Sequence, residues 1–230
     1  MTILQNAIDS IQLGVEDYEL IAENPKRLVS CVRNLFSGIL LLFKSHLVDL
    51  SPQGSNDLYI KLKNEEILDK NGNKVLVGIG KGTINFKGII DKFGVLNIQV
   101  EWTELERVQE YRNNIEHYFS TDNPKAVQAI LTHSFNIINA FTRDYLRKDP
   151  IELFGENVWS IFIEIENVYQ KEKQNCIQYL DANKYINHKI LPLIKKNTCR
   201  DCGFDLIQPV LKGVDAYKTR YKCLSCFRVC

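Results

Sequence analysis

Apolar residues recur at intervals of three and four along most of the chain, a spacing that predicts helices. Between Gln5 and Ala22, the positions Ile8, Ile11, Leu13, Val15, Leu20 and Ile21 predict a first helix. Asn24 and Pro25 supply an N-cap and first-turn proline for a second. Its apolar face runs through Leu28, Val29, Val32, Leu35, Phe36, Leu40, Leu41, Leu47 and Leu50, and Ser51-Pro52 ends it. Trp102, Leu105, Val108, Tyr111, Ile115 and Tyr118 mark a third helix, stopped by the polar stretch from Ser120 to Pro124. Val127, Ile130, Leu131, Phe135, Ile138 and Phe141 mark a fourth, from Pro124 to about Arg147. A fifth follows Pro150, with Val158, Ile161, Ile165 and Val168 as its core face and Lys171 to Lys173 as a solvated stretch.

The period changes to two after Gly54. Leu58, Ile60 and Leu62 alternate with polar residues, and Asn71-Gly72-Asn73 is turn chemistry before Val75, Val77 and Ile79. A small β-hairpin insertion is expected over residues 54–94. The expected class is mainly α: a helical domain over residues 1–189, then a cysteine-rich unit over 190–230, divided near Pro192 and Lys195-Lys196-Asn197.

At 230 residues the chain has room for one sizeable core and a small satellite. Lys and Arg number 29 against 28 Asp and Glu, so any attraction to nucleic acid must come from a local patch. Residues Met1 to Ser10 lack the basic start and apolar run of a secretory signal. The apolar run Leu35 to Phe43 falls well short of the ~20 residues a membrane span needs. These features predict a cytoplasmic protein without a membrane partner. In that compartment thiols stay reduced, so seven cysteines point to metal rather than disulfides.

Four of the seven form two CxxC pairs, Cys199/Cys202 and Cys223/Cys226, with 20 residues between the pairs. Two such turns facing each other place four thiolates tetrahedrally around one Zn2+. A catalytic zinc keeps an open position, whereas four cysteines close the shell, so the expectation is a structural zinc ribbon. Segments Leu206 to Leu211 and Tyr217 to Tyr221 are its expected strands, and Gly203 eases the first turn. Arg200, Lys212, Lys218, Arg220, Lys222 and Arg228 make the unit locally basic, suited either to nucleic-acid phosphates or to solvent. Cys31 and Cys176 fall on core helices and read as small buried apolar residues, while Cys230 has no evident partner.

On the third helix Arg112, Asn113 and His117 stand out within Tyr111-Arg-Asn-Asn-Ile-Glu-His-Tyr-Phe119. At about 100° per residue Asn113 and His117 share a face, while Arg112 lies about 140° from His117. A long arginine can swing across, and a second copy of the helix about a twofold axis would gather two arginines and two histidines. The plain alternative is an ion pair between Arg112 and Glu116, spaced i and i+4, with His117 packed nearby.

The segment resembles the R-x4-6-H motif of the HEPN family (higher eukaryotes and prokaryotes nucleotide-binding domain). Arg112 and His117 stand at the motif positions, Asn113 in the polar place after the arginine. The opening helix, the second helix with Arg33-Asn-Leu-Phe-Ser-Gly-Ile-Leu-Leu-Leu-Phe-Lys44 and the motif helix follow HEPN order over about residues 1 to 180. The resemblance implies a helical bundle that forms a homodimer and, in many members, a metal-independent endoribonuclease of bacterial defence or toxin type. Arg112, Asn113 and His117 would be the catalytic residues, RNA the substrate, and an antitoxin or sensor protein a further partner. Family toxins silenced by tyrosine nucleotidylation carry R-x4-H-x-Y, whereas Phe119 stands here, which argues against that control. Asp17 and Asn34 would add polar support to that site from the first two helices, but ordinary surface or capping roles are the expectation for both. His46, His133 and His188 show no ligand spacing. Two other readings compete: a non-catalytic HEPN module that binds RNA, a nucleotide or a protein, and a helical dimerisation scaffold whose ribbon does the work.

Overall fold

The computed structural model describes residues 2–117, 124–200, 204–224 and 228–229, without the side chains of 116, 117 and 124–126. Helices α1 (Ile3–Glu19) and α2 (Arg27–Leu50) form an antiparallel pair at its base. Thr2 caps α1, its hydroxyl accepting the Gln5 amide at 3.1 Å. Gly14 and Gly38 let the two backbones close up: a Cβ on Gly38 would stand 2.6 Å from Ile11 Cγ1 and 3.2 Å from the Ala7 carbonyl. Helix α2 starts two residues later than its sequence signals suggest. Asn24 does accept the Lys26 amide through its side chain, but a tighter turn with i to i+3 bonds at Arg27, Leu28 and Val29 comes first.

By length and composition α2 is apolar enough to cross a membrane. Its buried stripe, which includes Cys31, Leu35, Ile39, Leu42, Phe43 and Leu47, is covered by α1, by α4 (Trp102–His117) and by α5 (Pro124–Asp144). Phe43 anchors an aromatic cluster with Phe93, Trp102 and Phe141, ring centroids 4.5 to 5.8 Å from its own.

The expected hairpin is present as β1 (Lys61–Leu68) and β2 (Lys74–Thr83), antiparallel, with Glu65 opposite Val77. The Asp69 carboxylate accepts the amides of Asn71 and Asn73, both at 2.8 Å, and Gly72 takes φ +81° to complete the turn. Two details differ from the sequence pattern. Leu58–Ile60 is a 3-10 turn rather than strand, and the β-rich reading of residues 54–94 holds only to Thr83. Beyond it Asn85 caps a helix, α3 (Phe86–Val95), by accepting the Gly88 amide. Phe86, Ile89 and Phe93 repeat at helical intervals, and Ile89 and Phe93 are fully buried.

The fifth expected helix is broken in two at Gly155, φ +89°, into α6 (Pro150–Phe154) and α7 (Glu156–Ala182). Helix α7 runs through Lys171 to Lys173, where Lys171 is exposed and Glu172 and Lys173 are half-buried. A short α8 (Leu191–Lys195) leads to β3 (Ile207–Pro209) and β4 (Tyr221–Cys223), paired antiparallel with Ile207 opposite Cys223. These strands are shorter than expected, and Ala216–Lys218 is a 3-10 turn where the second strand was expected to begin.

The C-terminal strands share the helical core: Phe204, Leu206 and Leu224 belong to the same buried cluster as the side chains of α1, α2, α4, α5 and α7. One stripe of α7 holds them. Tyr169 donates to Asp205 at 2.6 Å, Lys173 pairs with Asp205 at 2.6 Å, Cys176 Sγ donates weakly to Gln208 at 3.9 Å, and Asn183 accepts the Gly213 amide at 2.7 Å. Positions 169, 173, 176 and 183 lie on one helix face, so half of α7 serves the bundle and half the C-terminal unit.

Candidate functional site

On α4 the apolar residues Leu105, Val108 and Ile115 point into the core, which sets where the motif residues emerge. Arg112 is half-buried, its Cζ 5.5 Å from the centroid of the Phe36 ring on α2. A guanidinium over an aromatic face is held by the ring quadrupole. Asn113, one step around the helix, is exposed. His117 closes α4 as backbone, but its side chain, with Tyr118 and Phe119, lies outside what the structure describes. Of the three motif residues the structure thus fixes Arg112 against α2 and puts Asn113 in solvent.

Asp17 and Asn34 behave otherwise than expected. The Asp17 side chain is 7% exposed and accepts Arg27 Nη1 at 2.8 Å and Asn34 Nδ2 at 3.1 Å. Buried Asp17 thus pairs with exposed Arg27 and staples the α1–α2 connection; it is neither a surface group nor a cap, and burying the carboxylate demands those donors. Asn34 lies about 160° around α2 from Phe36, so this cluster does not support Arg112. Next to it Cys31 is fully buried, as its pattern predicted, and burial together with the Asp17 charge pushes its thiol pKa far up. Cys176 is buried likewise.

The cysteine turns show a repeated geometry. The Cys199 amide donates to the Phe204 carbonyl at 2.8 Å, and the Cys223 amide donates to the Arg228 carbonyl at 2.9 Å. Each turn therefore closes from its first cysteine to the residue five later, and the β3–β4 ladder sets the two side by side. Cys199 and Cys223 are buried and line one cavity of about 360 Å³. Cys202, Cys226 and Cys230 lie outside the described residues. Among the described residues no group of three His, Cys, Asp or Glu side chains forms a metal site.

A second polar cluster escaped the sequence reading. His133 of α5 is 6% exposed, with its ring stacked on Phe204 at 5.1 Å and its Nδ1 3.2 Å from Glu104 Oε1 of α4, a close polar contact not aligned as a hydrogen bond. Tyr169 presents its ring to His133 at 6.2 Å and donates to Asp205. Burial, then the Asp205 charge, raises the Tyr169 pKa, so the phenol stays a donor. Burial opposes ionisation of Asp205, but the hydrogen bonds from Lys173 and Tyr169 outweigh it and hold the carboxyl below its ordinary range. The cluster joins α4, α5 and α7 to the C-terminal unit. A histidine on the otherwise apolar flank of α5 was the one local signal; its partners lie 29 to 72 residues away in sequence.

No family model, curated protein or solved structure matches this chain.

Proposed function

We propose that the chain is a metal-independent HEPN-type endoribonuclease of bacterial defence or toxin type, acting in the cytoplasm as a homodimer. The observation that carries this reading is Arg112 of the R-x4-H segment, braced on the Phe36 ring late in α4 with exposed Asn113 beside it. A braced guanidinium offers a fixed fork of donors to phosphate oxygens and stabilises the charge that develops there. His117 supplies the proton transfer, since an imidazole with an ordinary pKa near ~6.5 accepts the 2'-hydroxyl proton or protonates the leaving 5'-oxygen. Asn113 orients the histidine or the RNA. Attack by the neighbouring 2'-hydroxyl leaves a 2',3'-cyclic phosphate, and DNA, lacking that hydroxyl, resists.

Cys199, Cys202, Cys223 and Cys226 would hold a structural Zn2+, whose role is to cross-link the two turns. The test is purified protein with mixed RNA. Cleavage that survives chelation, disappears in both Arg112→Ala and His117→Ala and leaves cyclic phosphate ends supports the enzyme.

The same Arg112–Phe36 contact favours one second reading, a non-catalytic HEPN module that binds RNA, a nucleotide or a protein, because a guanidinium spent on ring packing is also a structural device. Intact RNA with measurable binding would establish it.

A further inference from the structure

Charge is divided unevenly along the chain. Residues 184–230 hold ten Lys and Arg against three Asp and Glu, while residues 1–183 hold 19 against 25. Two of the three C-terminal acids already face lysines, Asp205 with Lys173 at 2.6 Å and Asp215 with Lys218 at 2.7 Å. A near-neutral protein thus carries a strongly cationic unit on an anionic body, the charge pattern of a polyanion site.

The cavity beside the cysteine turns concentrates that charge. Arg200, Lys222 and Arg228 line it with Ile194, Ile207 and Tyr221. Arg200 and Arg228 are exposed and Lys222 half-buried, so three of the lining residues bring cations within reach of solvent, and the two isoleucines with Tyr221 supply an apolar wall. Its volume of about 360 Å³ far exceeds the space of one ion at ~2.3 Å from four sulfurs and falls in the range of small-ligand pockets. The three cations flank the cysteines in sequence, so the backbone that shapes the turns also positions them.

We propose that this cleft is a docking site for single-stranded RNA, with a base against Ile194, Ile207 and Tyr221 and the adjoining phosphates on Arg200, Lys222 and Arg228. Apolar walls with cations within reach of solvent match an unpaired nucleotide, whose base has no partner to leave and whose phosphates carry the charge. The choice of RNA among polyanions rests on the ribonuclease reading; the anion site does not. The unit is mounted rigidly, because Phe204 on His133, Asp205 on Tyr169 and Lys173, and Gly213 on Asn183 fix it to α5 and α7. RNA held there lies at a constant offset from Arg112.

The experiment measures binding of a fluorescein-labelled 12-nucleotide oligouridine to the full chain carrying His117→Ala, by anisotropy, as a function of salt. Each phosphate contact on a single strand contributes roughly 0.7 to the slope of log K against log salt. Replacing Arg200, Lys222 and Arg228 together by glutamine should lower the slope by about 2 and weaken binding at 0.1 M salt by about 100-fold. Arg200→Gln alone, at an exposed side chain that cannot unfold the unit, should remove about 0.7 of the slope, and Arg200→Lys should restore most of it. An unchanged slope in both glutamine variants overturns the proposal. So does charge-dependent self-association seen by sedimentation without RNA binding, which would assign the cleft to the anionic body of a second copy. If Arg112→Ala and His117→Ala leave RNA processing unaltered while the salt slope still depends on Arg200, the nuclease reading fails and the docking site stands.

Discussion

Truncating Phe204 to alanine removes a ring that is 1% exposed and stacked on His133 at 5.1 Å. A buried Phe→Ala change costs about 3 to 5 kcal/mol, from lost transfer energy and the void left behind. Because Phe204 belongs to the same buried cluster as Ile130, Phe135 and Phe162, that cost should fall on the whole fold and not only on the C-terminal unit. Both tryptophans report from the helical body: Trp159 among Phe135, Phe154 and Phe162, and Trp102 beside Phe43 and Phe93. With an m-value of about 3 kcal/mol/M in urea, the tryptophan transition should move down by about 1 to 1.7 M. Exchange protection of the Cys223 and Leu224 amides, which bond to the Arg228 and Leu206 carbonyls, should fall at the same urea concentration. A tryptophan midpoint that stays in place while those amides lose protection would refute the energetic coupling and show that the C-terminal unit unfolds on its own.

Three other perturbations discriminate equally well. Gly38→Ala should destabilise by about 1 to 3 kcal/mol through overpacking, because its Cβ meets Ile11 at 2.6 Å and backbone at 3.2 Å, whereas Gly94→Ala, with nothing within 4 Å, should stabilise by up to about 1 kcal/mol; equal melting shifts would disprove the close α1–α2 approach. Iodoacetamide under native conditions should leave Cys31 and Cys176 unmodified by intact mass, since both are buried and burial raises the Cys31 pKa; labelling as fast as glutathione would contradict this. Asp205 has a folded pKa below its ordinary 3.8, so its contribution is complete above that value and fades as pH falls through the lower folded pKa. The stability gap between native protein and Asp205→Asn should therefore be flat from pH 5 to 7 and close below pH 3.8; a gap that widens on acidification would reverse the sign.

Long periodic helices were readable because their apolar stripes are dictated by burial alone. Val127, Ile130, Leu131, Phe135, Ile138 and Phe141 are all buried on α5, as their spacing requires. Helix α3 was missed because a ten-residue segment with Gly88 and Gly94 has weak helical propensity, and its stability comes from burying Ile89 and seating Phe93 against Phe43 and Trp102. Val168 illustrates the opposite error: it continues the helical spacing of Val158, Ile161 and Ile165 yet is 38% exposed, because the stripe that α7 buries rotates toward Tyr169 and Cys176 when its partner changes to the C-terminal unit. The candidate site divides along the same line. Which residues form the motif and the cysteine pairs is local and legible; that Arg112 rests on Phe36 and that His133 meets Phe204 depends on contacts across 76 and 71 residues, which no local pattern encodes.

Helix α4 is gripped at two levels. Glu104, in its first turn, faces His133 of α5, and Arg112, two turns on, rests on Phe36 of α2. The C-terminal unit presses on the same His133 through Phe204. Displacing that unit would free one side of the histidine and with it the packing that opposes Glu104, whereas the Arg112 contact has its own support on α2. Changes in the C-terminal unit therefore reach the start of α4 before its end. A helix held this way gains its geometry from packed side chains on two neighbours, which is the support that the proposed nuclease site would require.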